Sequence, residues 1–344
     1  MENSQKQIPQ KLLDSQYMKE FFKNNHSTID GRIKEIAKFN IWPIKKKVDE
    51  KFFHLVILYA ITFFLGDGSR KRFKIFCASY INHKRKKMYE LLKLAYENGF
   101  KSGSILVPRP LYYKEDLEAV FYVGVPGDNL LEHIKNGAEV SGAVKKAANF
   151  LANWHEIKPP TEIKLLKHEF NYDFLDPTKI LEREKNKNHQ YSQKIKQLFK
   201  KISDYWEKTN NKNFKLSHGD FHPENIIINH FNSKQIVIID FSEGCLAPKA
   251  YDLGSFLQQL KFMTLAYDRQ GKLFSKLEKI FLNEYFKISG IDYNDEIKKQ
   301  ILLYQAWTAL KSAVYYMIYD DQYEQVEILI KQVQDFIQNL YEEK

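Results

Sequence analysis

Two short stretches of this sequence can do chemistry: His218-Gly219-Asp220-Phe221-His222-Pro223-Glu224-Asn225, and Ile238-Ile239-Asp240-Phe241. Asp220 and Asn225 are five apart on a loop, and Asp240 is fifteen further on, just after an apolar strand. An Asn carbonyl and a carboxylate are hard oxygen ligands, suited to Mg²⁺ beside a phosphate. A second carboxylate that holds no metal can accept a proton from an attacking hydroxyl. Phosphoryl transfer asks for that set: one base to orient the nucleophile, and metal to neutralise charge on a nucleotide. His218, Asp220 and His222 also put three metal-ligand side chains on one face of an extended segment, as a transition-metal hydrolase would need. Asn225 and Asp240 favour phosphoryl transfer.

Such chemistry also needs a cation on the phosphates. Lys74 stands in Arg72-Phe73-Lys74-Ile75-Phe76, on a strand that follows a hairpin. Glu90, on the next helix, is placed to pair with it, and Glu97 on a neighbouring turn is the other candidate. Strand Lys, helix Glu, loop Asp and Asn, then a strand-end Asp is the order found in kinases.

The chain that must position these residues has 344 residues and a mass of 40.8 kDa, enough for one large domain or two modest ones. Its 44% hydrophobic content, with 25 Phe and 21 Tyr, can bury a sizeable core and excludes global disorder. Cys77 and Cys245, far apart and with no CxxC, exclude a disulfide framework or a structural zinc site and point to a reducing, cytoplasmic compartment. The net charge of +10 favours anionic partners at long range. The Lys residues are nevertheless spread among Glu and Asn, which reads as a solvated surface and not as a nucleic-acid footprint. The N-terminus has no apolar signal region. Leu55 to Leu65 is too short for a membrane span, which needs about 20 residues. A soluble protein is expected.

Residues 1–30 read as an appended helical segment with apolar Leu12, Leu13, Tyr17, Phe21 and Phe22. Residues 31–125 read as strands plus one helix. Leu55–Leu65 and Arg70–Cys77 form a hairpin turned by Asp67-Gly68. In its second strand Phe73, Ile75 and Cys77 face one way, and Arg72, Lys74 and Phe76 the other. Pro126-Gly127-Asp128 marks a boundary, and residues 126–344 are mainly helical, interrupted by a hairpin over Asn225–Asn229 and Gln235–Ile239. The expected fold class is α+β: a small antiparallel sheet with one helix, then a larger helical lobe.

On these motifs the sequence resembles the aminoglycoside phosphotransferase and choline-kinase-like family of small-molecule kinases, over roughly residues 40–320. The family's HGDxxxxN loop stands here as HGDFHPEN and its IDF as Ile239-Asp240-Phe241. Gly244 and Tyr251-Asp252-Leu253-Gly254 match a later signature. Phe150 to His155 resembles the helix ending in Leu-x-x-Leu-His, and Val107-Pro108 and Val125-Pro126-Gly127 the pre-hinge and hinge segments. The resemblance implies a bilobal, protein-kinase-like fold and an ATP- or GTP- and Mg²⁺-dependent kinase acting on a small-molecule alcohol. Asp220 would be the catalytic base, Asn225 and Asp240 the Mg²⁺ ligands, and Lys74 the phosphate clamp with Glu90 as partner. His218 and Asp252 would brace the loop, and adenine would sit near Val123 to Val125.

The family pattern is broken in three places, one of them a longer stretch from Glu90 to Val107 than the family has. No glycine occurs between Gly31 and Gly66, so Asp49-Glu50-Lys51 takes the place of a flexible phosphate loop, and Arg72 stands where a small apolar residue would face adenine. Both motivate the alternative of a kinase-like binding or scaffold protein without turnover. Trp307, Tyr304, Tyr315, Tyr316 and Tyr319 read as core aromatics before a quaternary-ammonium cage. Asp320, Asp321, Glu324 and Glu327 read as a solvated helix end before an amine site.

Overall fold

The computed structural model describes residues 2–48, 53–80, 84–170, 189–209, 213–268, 270–320 and 322–342. Asp49-Glu50-Lys51 and Asp321 lie outside the described residues. In chain order the first elements are α1 (Glu2–Leu13), α2 (Ser15–Asn24), β1 (Ile33–Val48), β2 (Phe53–Leu65), β3 (Arg70–Tyr80), α3 (Lys84–Ala95), β4 (Ile105–Leu106), β5 (Arg109–Lys114), β6 (Ala119–Val123) and β7 (Gly127–Asn129). Then come α4 (Leu130–Lys135), α5 (Ser141–Trp154), α6 (His189–Thr209), β8 (Phe214–Ser217), β9 (Ile226–Asn229), β10 (Ile236–Ile238) and β11 (Cys245–Pro248). The chain ends with α7 (Ala250–Thr264), α8 (Lys272–Ser289), α9 (Asp295–Tyr315) and α10 (Tyr323–Tyr341). No described helix is long and apolar enough to cross a membrane.

The chain divides into two compact units: residues 1–128, 159–164 and 227–244, and residues 129–158, 165–226 and 245–344. The hairpin expected inside the helical lobe therefore groups largely with the first unit. The reason is pairing. Strand β10 runs parallel to β4, in a sheet ordered β4-β10-β9-β7.

The first unit is built on a sheet ordered β1-β2-β3-β6-β5, all its pairs antiparallel. Alternation along β2 sends Leu55, Ile57, Tyr59, Ile61 and Phe63 to one face, where they are buried with Phe73, Ile75 and Cys77 of β3. Helices α1 and α2 supply the other half of this core through Leu12, Met18 and Phe22. They are thus not an appendage. Phe22 meets the Tyr59 ring edge-on at 5.1 Å, and the Tyr59 hydroxyl donates to the Leu12 carbonyl at 2.6 Å. Strand β1 is an outer strand and carries Lys34, Lys38, Lys45, Lys46 and Lys47, charges that discourage pairing with another chain. Its register shifts between Pro43 and Lys45, at the residue that cannot donate to the ladder.

The second unit is organised around α9, which is buried on nearly every side from Ile301 to Val314. A helix apolar all round belongs inside a bundle. Helix α7 packs against it at Gly254, where a Cβ would meet Tyr304 Cβ at 2.7 Å and the Ile301 carbonyl at 2.8 Å. That close approach requires glycine. Helix α7 thereby fixes Asp252 half a turn earlier.

Candidate active site

Strand β8 pairs with β11, Ser217 opposite Cys245, and releases the chain into His218-Gly219-Asp220. Gly219 has φ +84, a left-handed conformation that side chains resist. The turn is held from beneath by Asp252, whose side chain is fully buried. Its carboxylate accepts the His218 N–H at 2.7 Å and the Gly219 N–H at 2.9 Å. His155 Nε2 lies 3.0 Å from the same carboxylate, and His155 Nδ1 lies 2.8 Å from the Tyr285 hydroxyl. An Nε2–H tautomer that donates to Asp252 and accepts from Tyr285 satisfies every member. Burial pushes the Asp252 carboxyl pKa up, but His155, then His218 and the Gly219 N–H, hold it below the ordinary value.

Asp220 stands on that support with 49% of its side chain open to solvent. The surrounding protein pushes its pKa up, yet His222, followed by Lys311 and His218, holds the carboxyl well below the carboxylate range. His222 Nε2 is 3.5 Å from Asp220 Oδ2. Asn225 closes the loop: its amide nitrogen donates to the Asp220 carbonyl at 2.8 Å, which leaves its Oδ1 for a cation. The result is an ionised, accessible carboxylate beside an amide oxygen, on a loop whose backbone is bolted to a buried acid.

Lys311 is a neighbour that sequence reading missed. Its ammonium donates to the Tyr251 hydroxyl at 3.4 Å, and that hydroxyl donates to the Gly219 carbonyl at 3.2 Å. It also sits over the Tyr251 and Trp307 rings, 5.6 and 6.0 Å from their centroids. Its signal was its place one helical turn after Trp307, which drew notice only as an aromatic. Tyr304 and Trp307 are buried and pack against half-buried His168 and Phe170, so they form core packing whose cation is the chain's own. Burial, then Lys311, lowers the His168 pKa to about 3, so that imidazole is neutral. Tyr315 is exposed, Tyr316 packs on Phe262, and Glu327 accepts from the Tyr191 hydroxyl.

In the first unit Asp240 follows β10 with φ +61, a conformation uncommon outside glycine and concentrated at functional positions. Its Oδ1 accepts the Ser242 N–H at 3.2 Å. Lys45, His54 and Tyr122 are all close enough to feel its charge. Lys74 is exposed, and its carbonyl accepts the Gly124 N–H at 2.8 Å, which places it at the hinge end of β3. The expected pairing is not formed: among the described residues neither Glu90 nor Glu97 makes an ion pair with Lys74. Helix α3 packs chiefly on β5 and β6, so Glu90 acts on Tyr113, while Glu97 lies 3.8 Å from Lys93. Val123 and Val125 are half-buried on either side of Gly124, whose Cα is covered by the Phe76 ring. Phe76 stacks on Tyr122 at 5.8 Å and 7°. Arg72 is exposed.

The structure thus brings Asp220, Asn225, His218 and Asp252 together in one unit, places Asp240 in the other, and leaves Lys74 and Glu90 apart. A cavity in the second unit, lined by Pro248, Leu253, Tyr285 and Phe286, includes none of them.

A model of the phosphotransferase enzyme family (APH) matches residues 62–275. No curated protein sequence matches the chain. Among solved structures, spectinomycin phosphotransferase APH(9)-Ia, in complex with ADP and spectinomycin, superposes with a TM-score of 0.62 at 15% identity, covering 96% of this chain and 98% of that one. Choline kinase from Cryptosporidium parvum gives 0.63 at 10% identity, covering 95% and 96%. An ethanolamine kinase from Plasmodium vivax gives 0.59 at 14%, covering 93% and 87%. These likenesses establish the protein-kinase-like fold.

Proposed function

This chain belongs to the phosphotransferase enzyme family, and from that premise we propose that it transfers the γ-phosphoryl group of ATP, or GTP, to a hydroxyl of a small molecule. The observation that carries the reading is the catalytic loop: Asp252 accepts two successive backbone N–H groups and so aims Asp220, while Asn225 is tied to the Asp220 carbonyl. Asp220 holds the acceptor hydroxyl by its proton, orients the oxygen for in-line attack and receives the proton as the bond forms. Its low pKa suits a late proton transfer, because the carboxylate stays ionised throughout the neutral range.

Asn225 Oδ1 and the Asp240 carboxylate each have the donor chemistry that Mg²⁺ takes, a hard oxygen with lone pairs beyond those used within its own loop. An ion held by such donors would neutralise charge on the phosphates of a nucleotide. Adenine near Val123 and Val125 would lie against the Phe76–Tyr122 stack. Lys311 sets the acceptor's charge: a cation one hydroxyl away from the loop opposes a choline-like or polycationic acceptor and suits a neutral or anionic alcohol. The cytoplasm, where thiols stay reduced, is the expected setting.

The test is the melting temperature of the full chain with and without ATP and Mg²⁺, in wild type and Asp240→Ala. Ligand at a hundredfold excess over Kd stabilises by about 2.7 kcal/mol. A Mg²⁺-dependent rise lost in Asp240→Ala supports the reading, and no rise in wild type removes it. The separation of Lys74 from Glu90 favours one other reading, a kinase-like binding protein without turnover. A nucleotide-dependent rise with no phosphorylated product from any alcohol would select it.

A further inference from the structure

We infer that Arg85 of α3 and Lys45 of β1 form the anion site that receives the nucleotide's phosphates, in the place where a strand lysine was expected; this rests on the nucleotide-dependent reading above. Arg85 is only 7% exposed, yet among the described residues no carboxylate lies within ion-pair range of it. Its Nη1 meets the Met88 sulfur at 3.1 Å, its guanidinium lies 5.6 Å from the Tyr80 ring centroid, and its Nε has no partner. A guanidinium cannot shed its proton, so a full charge is buried with soft neighbours and unused donors. Such a group is costly unless an anion arrives, and its planar fork is shaped for phosphate.

The sheet register puts Lys45 on the same ground. Lys45 is opposite Val56, Val56 opposite Ala78, and Ala78 opposite Val120. Directly opposed residues share a face, here the one away from the Tyr59 core. Strands about 4.8 Å apart put Lys45 roughly 10 Å from Ala78, a gap that a lysine stem largely spans. Ala78 itself offers only a methyl, flanked on the same face by Phe76 and Tyr80. Lys74, four residues nearer the hinge end, is about 13 Å away along the strand.

Charge follows the same pattern. After burial, Lys45 and then Arg85 push the His54 imidazole down to about 4, against the pull of Asp240. Tyr122 feels Asp240 and Arg85 together. Lys74 acts on none of these groups. Lys45 is exposed, yet desolvation and then Lys47 lower its ammonium pKa, and it is close enough to feel both Asp240 and Arg85. Two cations therefore flank the expected metal carboxylate, an arrangement that suits a polyphosphate carrying its own divalent ion.

The test compares melting shifts of the full chain with ATP·Mg²⁺, tripolyphosphate and adenosine, in wild type, Lys45→Gln, Arg85→Met, Arg85→Lys and Lys74→Gln. Lys45→Gln and Arg85→Met should each weaken ATP and tripolyphosphate at least tenfold while adenosine is unaffected, with partial rescue by Arg85→Lys. Without ligand, Arg85→Met should melt higher than wild type, because it removes an unpaired buried charge; a merely structural arginine would give a lower value. Should Arg85→Met fail to fold, Lys45→Gln, a surface change, carries the comparison alone. Undiminished affinity in both variants, or a loss confined to Lys74→Gln, overturns the assignment and leaves the kinase reading intact. Tripolyphosphate binding without ATP binding keeps the anion site and removes the nucleotide. Binding of neither removes the site.

Discussion

Replacing Asp252 tests how the His218–Asn225 loop is held. In wild type its carboxylate satisfies three donors at 2.7, 2.9 and 3.0 Å in a fully buried position. Asp252→Ala leaves the His218 and Gly219 N–H groups and one His155 nitrogen without an acceptor, at about 1–3 kcal/mol each. Removing a buried carboxylate offsets part of that loss, so the net cost should be about 3–5 kcal/mol, the range for breaking a buried charged pair from one side. Against a typical total of about 5–15 kcal/mol that is a large fraction. Asp252→Asn keeps one acceptor oxygen and should fall between. The assay is urea unfolding of the full chain followed by circular dichroism, repeated from pH 7 to pH 3. Because the folded pKa of Asp252 is lowered from 3.8, its contribution is fully present above that value and is lost as the pH falls through the folded pKa. The gap between wild type and Asp252→Asn should therefore shrink only below about pH 3.8. A cost under about 1 kcal/mol for Asp252→Ala would refute the reasoning, since three orphaned buried donors cannot be that cheap.

Gly254→Ala should destabilise by about 1–3 kcal/mol, because the new Cβ meets main chain at 2.8 and 2.9 Å that cannot step aside; an unchanged melting temperature would contradict the tight α7–α9 packing. Tyr59→Phe should cost about 1 kcal/mol by orphaning the Leu12 carbonyl, and a neutral result would mean that α1 is not part of the core. His54 should titrate near 4 by NMR, and Lys45→Gln should raise that value by removing the largest of its three cationic influences, Lys45, Arg85 and Lys47. Since that pKa is lowered from 6.5, His54 should withdraw stability as the pH falls below 6.5 towards 4. A free-imidazole value in wild type would place His54 outside the Arg85–Lys45–Asp240 group.

The loop was legible because its residues are local. Asp220, His222 and Asn225 meet through a turn encoded in eight consecutive residues, and the Asp252 signature fits because α7 starts directly after β11. The alternation of β2 and β3 was equally plain, as one face is apolar and the other is not. Contacts that depend on register or helix phase were not. Whether Lys74 reaches Glu90 depends on where along β3 the hinge strand pairs, and the pairing of Gly124 with Lys74 sets that, with no trace in local sequence. In the sequence Arg85 is one more base in Lys84-Arg85-Lys86-Lys87; only the fold shows that it turns inward against Tyr80 and Met88. The N-terminal helices looked separable because their apolar residues are few, yet Phe22 and Met18 cover the sheet.

The most direct measurement is ADP formation from ATP and Mg²⁺ over a panel of neutral, anionic and cationic small alcohols, in wild type and Asp220→Asn, with product mass determined for each positive. Wild type should turn over a neutral or anionic alcohol to its phosphate monoester. Asp220→Asn should lose at least about a hundredfold, the scale of a positioned general base, while its nucleotide-induced melting shift persists. Equal rates in the two proteins would contradict the role of Asp220.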